Sequence, residues 1–147
     1  MKAARTWAGV GLVVGGVNSC AMGAYHFILP YAWGWGTPLS TLPPAVRWGS
    51  YAINFFMSYL MLAGGVLTLL AWRRSRTGRP ADPGIVVVMG GFWLVNAVYQ
   101  VVVPMPLPSG WLPLRLALLG FALVTGGAYG VGLNALRTLS GSRRSPA

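Results

Sequence analysis

A chain of 147 residues has room for one domain, and this one is 55% apolar with only 8% charged residues, against about 25% in a soluble domain. Its net charge of +10 comes with a single acid, Asp82, a single histidine, His26, and a single cysteine, Cys20. Paired-carboxylate chemistry, hydrolytic triads, metal sites of the usual Cys/His spacing and an internal disulfide therefore have no residues to build on.

Four long apolar runs organise the chain, roughly 7–29, 48–72, 85–103 and 114–136, and each reaches the about 20 helical residues that cross a hydrocarbon core. Lys2 and Arg5 ahead of the first run resemble the start of a signal peptide, and Val17-Asn18-Ser19-Cys20 faintly resembles a lipoprotein cleavage site. The run continues to Leu29, longer than a usual signal core, so the first helix is expected to be retained. It is expected to end at Pro30, where Tyr31, Trp33 and Trp35 mark a membrane interface. Pro38, Pro43 and Pro44 predict a short-turned, rigid loop before the second helix, which starts near Arg47 and runs to Trp72. The next connection, 73–84, is polar and broken by Gly78, Pro80, Pro83 and Gly84. The third helix is expected to stop at Pro104, followed by a loop holding Pro106, Pro108 and Pro113. The fourth runs to about Leu136, and the small, basic tail 140–147 is expected to be disordered.

Charge placement predicts the orientation. Nine of the eleven cations lie before the first run, between the second and third (Arg73, Arg74, Arg76, Arg79) and after the fourth (Arg137, Arg143, Arg144). The other two, Arg47 and Arg115, stand at the starts of the helices they lead into. Because Lys and Arg are retained on the cytoplasmic side, both termini and the middle connection are expected in the cytoplasm. The same distribution explains the cations by retention and attraction to anionic lipid, and argues against nucleic acid as a partner. The fold class expected is all-α, a polytopic membrane four-helix bundle.

The two halves resemble each other. Tyr25-His26-Phe27-Ile28-Leu29-Pro30 aligns without gaps on Tyr99-Gln100-Val101-Val102-Val103-Pro104, and Gly64-Gly65 has a counterpart in Gly126-Gly127. With two crossings per half, this predicts a parallel 2+2 internal repeat. Small residues recur every fourth position, at Gly11, Gly15, Ser19 and Gly23 on the first helix and at Ala122, Gly126 and Gly130 on the fourth. Such stripes let helix backbones approach closely, within a monomer or along the seam of a homo-oligomer.

Polar residues within the runs are expected to face inward, since unpaired polar groups are costly in hydrocarbon. Asn18 and His26 lie on the first helix, Asn54 and Ser58 on the second, Asn96 and Gln100 on the third. By residue count His26, Tyr25, Tyr51, Asn54, Tyr99 and Gln100 share the outer half and are the candidate ligand-binding set. The bland reading is that they hydrogen-bond one another; the sharper one is a site for a quinone headgroup or a lipid.

Gly23-Ala24-Tyr25-His26-Phe27-Ile28-Leu29-Pro30 resembles the Gly-x-x-His-Phe-x-x-Pro signature that ends the first helix of DoxX-like membrane proteins. Leu42-Pro43-Pro44, Gly64-Gly65 and the stretch from Pro106 through Trp111 to Arg115-Leu116 fit the same pattern. The chain departs from it at Tyr25, where such proteins often have Asn, and near Met61, where they often have Glu ahead of the glycine pair. The resemblance implies a four-helix protein of the bacterial inner membrane, in some relatives tied to thiosulfate:quinone oxidation or to membrane redox subunits. The expected role is a non-catalytic accessory or quinone/lipid-binding subunit of such an assembly. The alternative is a stand-alone small carrier or lipid-binding protein acting as a homodimer.

Overall fold

The computed structural model describes residues 2–77, 79, 82–105 and 109–141. The apolar runs are helices: α1 (Lys2–Ala32), α3 (Pro44–Arg76), α4 (Gly84–Val102) and α5 (Leu112–Gly141), with a one-turn helix α2 (Gly36–Ser40) between the first two long ones. A single 3-10 turn, Ser109–Trp111, precedes α5, and no strand occurs among the described residues. The four long helices contain spans long and apolar enough to cross a membrane. Most of their surface faces outward and is apolar: on α4, Val88, Val95, Val98 and Val102 are all exposed, while Val86, Met89, Trp93 and Ala97 are buried. Water would oppose that much exposed valine, whereas lipid is its matching solvent. The chain is a multi-pass integral membrane protein with an all-α fold.

Several boundaries differ from expectation. α1 does not stop at Pro30 but carries it inside the helix and ends at Ala32. Proline removes one helical N–H and leaves the carbonyl four residues back unpaired, which is tolerable in the last turn if that carbonyl finds another donor. Gly34 then takes a positive φ of 58°, turning the chain into α2 within the loop expected to be short-turned and rigid. Pro43 and Pro44 do not form that loop's interior; they start α3, where a missing N–H costs nothing. Arg73, Arg74 and Arg76 lie in the last turn of α3 rather than in a loop, where the negative helix end favours cations. The Arg76 guanidinium also sits 5.4 Å from the Trp72 ring. Asp82 accepts from the Gly84 N–H at 2.8 Å, placing the lone acid at the start of α4. Pro113 falls within α5 instead of ending the loop before it; Pro106 and Pro108 lie outside the described residues. Of the tail expected to be disordered, Ser140 and Gly141 continue α5, and 142–147 lie outside the described residues.

α1 is central. It packs along α3 and α5, α4 packs on α5, and α3 and α4 scarcely meet. The helices therefore run α3–α1–α5–α4 around an incomplete ring. Glycine makes the tightest approaches. A Cβ on Gly65 would lie 2.7 Å from the Gly16 carbonyl oxygen, one on Gly23 2.8 Å from that of Ser58, and one on Gly11 2.6 Å from the Gly132 nitrogen. Gly15 faces the Tyr129 ring at 3.0 Å. The expected α1 stripe thus divides, with Gly11, Gly15 and Ser19 toward α5 and Gly23 toward α3. On α5, Ala122 and Gly126 are buried, Gly126 in ordinary contact with Trp93 and Leu94 of α4. Gly130 faces open space, and Gly132 makes the close contact with α1 instead.

Candidate functional site

One end of the bundle carries Trp33, Trp35, Tyr51 and Trp111, with Trp33 and Trp111 ring centres 6.1 Å apart and Trp35 and Tyr51 6.0 Å apart. The other carries the arginines of α3. Toward the arginine end, Gly64 of α3 packs on the Met89 thioether of α4, which a Cβ at Gly64 would have to displace. Toward the aromatic end the two helices part, and a cavity of about 870 Å³ opens between them, walled behind by α1 and α5. That volume is in the roughly 300–1,000 Å³ range of small-molecule sites. Its walls are mainly apolar, among them Ile53, Met57, Phe92 and Leu119, with His26, Asn54, Asn96, Tyr99, Gln100 and Arg115 supplying polar groups.

Four members of the expected set, His26, Asn54, Tyr99 and Gln100, line this cavity together. Tyr51 borders a second hollow of about 620 Å³ beside α2, and Asn54 borders both. Tyr25 lines neither; it is exposed and accepts from the Trp33 Nε1–H at 3.0 Å. One residue of helix turns about 100°, so Tyr25 cannot share the face of its neighbour His26. The same geometry separates Asn18 from His26, which eight residues offset by roughly 80°. Asn18 donates to Thr125 Oγ1 on α5 at 3.0 Å, while His26 meets α3.

His26 and Asn54 form a two-point pair. Asn54 Nδ2 donates to the His26 backbone carbonyl at 2.8 Å, and Asn54 Oδ1 lies 3.2 Å from His26 Nδ1. The His26 carbonyl is the one that Pro30, four residues on, leaves without a helical donor. A carbonyl only accepts, so the Asn54 nitrogen must face it and Oδ1 must face the ring. Nδ1 therefore carries a proton toward Asn54, and in the neutral form of the ring this makes Nε2 the acceptor. Opposite, Gln100 Nε2 donates to Asn96 Oδ1 at 2.6 Å, which leaves the Asn96 amide protons and the Gln100 carbonyl for a ligand.

Beneath the cavity runs a chain of hydrogen bonds through all four long helices. Trp93 Nε1 donates to Ser19 Oγ at 2.9 Å. Thr68 commits its single proton to the Gly64 carbonyl at 2.8 Å, so at its 3.3 Å contact with Tyr129 it must accept. Tyr129 then has no proton left for Ser19, and Ser19 donates to it at 2.9 Å. The order is Trp93, Ser19, Tyr129, Thr68, Gly64, each hydroxyl accepting once and donating once. Ser19, Thr68, Tyr129 and Trp93 are buried, and the Trp93 ring, edge-on to Phe92 and Phe121, forms part of the cavity wall. Spacing alone reads Ser19 as a small packing residue and overlooks the other three. The available signal was an indole and a phenol in mid-span, far from either interface, each with a polar group that needs a partner.

The site offers an acceptor at His26 Nε2, amide donors and a guanidinium, set in methionine and aromatic walls. It can hold a molecule with an apolar body and a small polar head. Among the described residues that line it there is no carboxylate, and His26 is its one imidazole. No family model, curated protein or solved structure matches this chain.

Proposed function

We propose that this is a DoxX-like protein of the bacterial inner membrane that holds a quinone headgroup or a lipid as a non-catalytic subunit of a membrane redox assembly. The observation that carries the reading is the cavity between the parted ends of α3 and α4, apolar along its walls and polar at His26, Asn96 and Gln100. His26 Nε2 would accept from a quinol hydroxyl, and the Asn96 amide would donate to a carbonyl. Retention of the cations at the start of α1, at the end of α3 and from Arg137 near the end of α5 onward supports both termini in the cytoplasm and the cavity toward the outer leaflet. The aligned segments ending in Pro30 and Pro104 support a parallel 2+2 repeat, although Gly64 and Gly65 are tightly packed while Gly127 faces open space.

The reading is checked by photolabelling membranes with an azidoquinone. Adducts are expected at Tyr99, Met57 and their cavity neighbours, and excess unlabelled quinone should suppress them; labelling confined to the outer valines of α4 contradicts the reading. A second reading, a stand-alone lipid-binding or carrier homodimer, is favoured by the valine face of α4, which a second copy would cover as well as lipid does. Gentle extraction separates the two: redox subunits co-purify under the first and only a dimer under the second.

A further inference from the structure

The cavity contains a charge that the protein does not balance. Arg115, in the first turn of α5, is half-buried and lines the cavity. Arg47, in the first turn of α3, is exposed and lies outside it. The only acid in the chain is Asp82, at the start of α4, and α5 follows from the far end of that helix. α4 has 19 residues, so Asp82 lies about 28 Å below the level at which α4 ends. No carboxylate side chain of this protein can reach Arg115. The α5 dipole, positive at that end, offers no compensation.

We infer that the occupant of the cavity is an acidic phospholipid, its phosphate on Arg115 and one acyl chain lying between α3 and α5. This rests on the reading of the cavity as a ligand site and narrows the ligand to an anion. Three features agree with it. Arg115 is one helical turn beyond Trp111, whose ring packs on Trp33, so the guanidinium starts from the interfacial layer where phosphates lie. Ile53, Met57 and Leu119 continue from there as an apolar wall, and the parted α3–α4 seam gives a chain sideways access from the bilayer. Deeper, the free Asn96 amide protons match a lipid ester carbonyl, which only accepts. A neutral quinone would satisfy the amide but leave Arg115 unbalanced.

The test uses the full chain in nonionic detergent with phosphatidylglycerol and phosphatidylcholine carrying a diazirine on one acyl chain, and a diazirine fatty acid as a third probe. Adducts are mapped by mass spectrometry. Phosphatidylglycerol is expected to mark Ile53, Met57 or Leu119 roughly fivefold more than phosphatidylcholine does. Arg115→Gln should abolish that preference, Arg115→Lys should keep most of it, and Arg47→Gln should leave it intact. The wild-type ratio decides the matter even if Arg115→Gln fails to fold. Equal labelling by the two phospholipids overturns the anionic assignment while leaving the cavity a ligand site. Preferential labelling by the fatty acid replaces the phospholipid with a free carboxylate. Adducts nowhere in the cavity, with any probe, overturn the ligand site itself.

Discussion

Gly65→Ala is expected to destabilise the protein by about 1–3 kcal/mol, and Gly65→Val by more, because the added carbon has nowhere to go. Its Cβ would lie 2.6 Å from Cys20 Sγ, 2.7 Å from the Gly16 oxygen and 2.8 Å from the Cys20 nitrogen. Two of these are backbone atoms of α1, so relief requires α1 and α3 to separate along the seam that organises the bundle. The control is Gly130→Ala, whose new methyl meets nothing within 4 Å and should not destabilise α5, since Ala is favoured over Gly inside a helix by about 0.5–1 kcal/mol. Unfolding midpoints of the two variants in a dodecyl sulfate titration give the comparison. Equal midpoints would mean that α1 and α3 are not in the contact described.

The second large effect is a coupling between Asn54 and Pro30. Asn54→Leu removes the donor to the His26 carbonyl and the acceptor for His26 Nδ1–H, with an expected cost of about 1–3 kcal/mol. The carbonyl needs Asn54 only because Pro30 has no N–H. Pro30→Ala restores that N–H inside α1, where it can take up the carbonyl. Asn54→Leu should therefore cost about 1 kcal/mol less in the Pro30→Ala background than in wild type, a coupling of the size that contacting groups show. Purely additive effects in the four-protein cycle would show that the His26–Asn54 pair does not replace the helical bond lost at Pro30.

These cases show where the sequence was legible. Span number and approximate position follow from apolar length alone, because twenty helical residues and a hydrocarbon core are matched quantities. Helix ends were less legible, for two different reasons. Pro30 reads as a terminator because its local cost is visible in sequence, whereas Asn54, which offsets that cost, lies on another helix. Arg73 to Arg76 read as loop because charge marks where the chain leaves the membrane, and α3 continues past that point.

The site was half legible for a geometric reason. His26, Asn54, Tyr99 and Gln100 could be grouped by depth, since depth is residue count times rise. Facing direction depends on how each helix is rotated against its neighbours, and that separated Tyr25 and Tyr51 from the cavity. Period-four stripes have the same weakness: Gly130 and Gly132 differ by two residues, and only the packing shows that α1 meets the second. The donor chain through Ser19 and Tyr129 joins residues more than a hundred positions apart, so no local pattern could specify it.

The proposed topology puts the aromatic end, with its cavity, and the arginine end on opposite sides of a membrane, the arginine end inward. It is tested by single cysteines at Ser40 and Arg79 in a Cys20→Ala background, treated in intact cells with a membrane-impermeant maleimide. Ser40→Cys should label at once, and Arg79→Cys only after permeabilisation. Labelling of Arg79→Cys in intact cells, with Ser40→Cys protected, would invert the orientation, and labelling of both in intact cells would contradict the crossing itself.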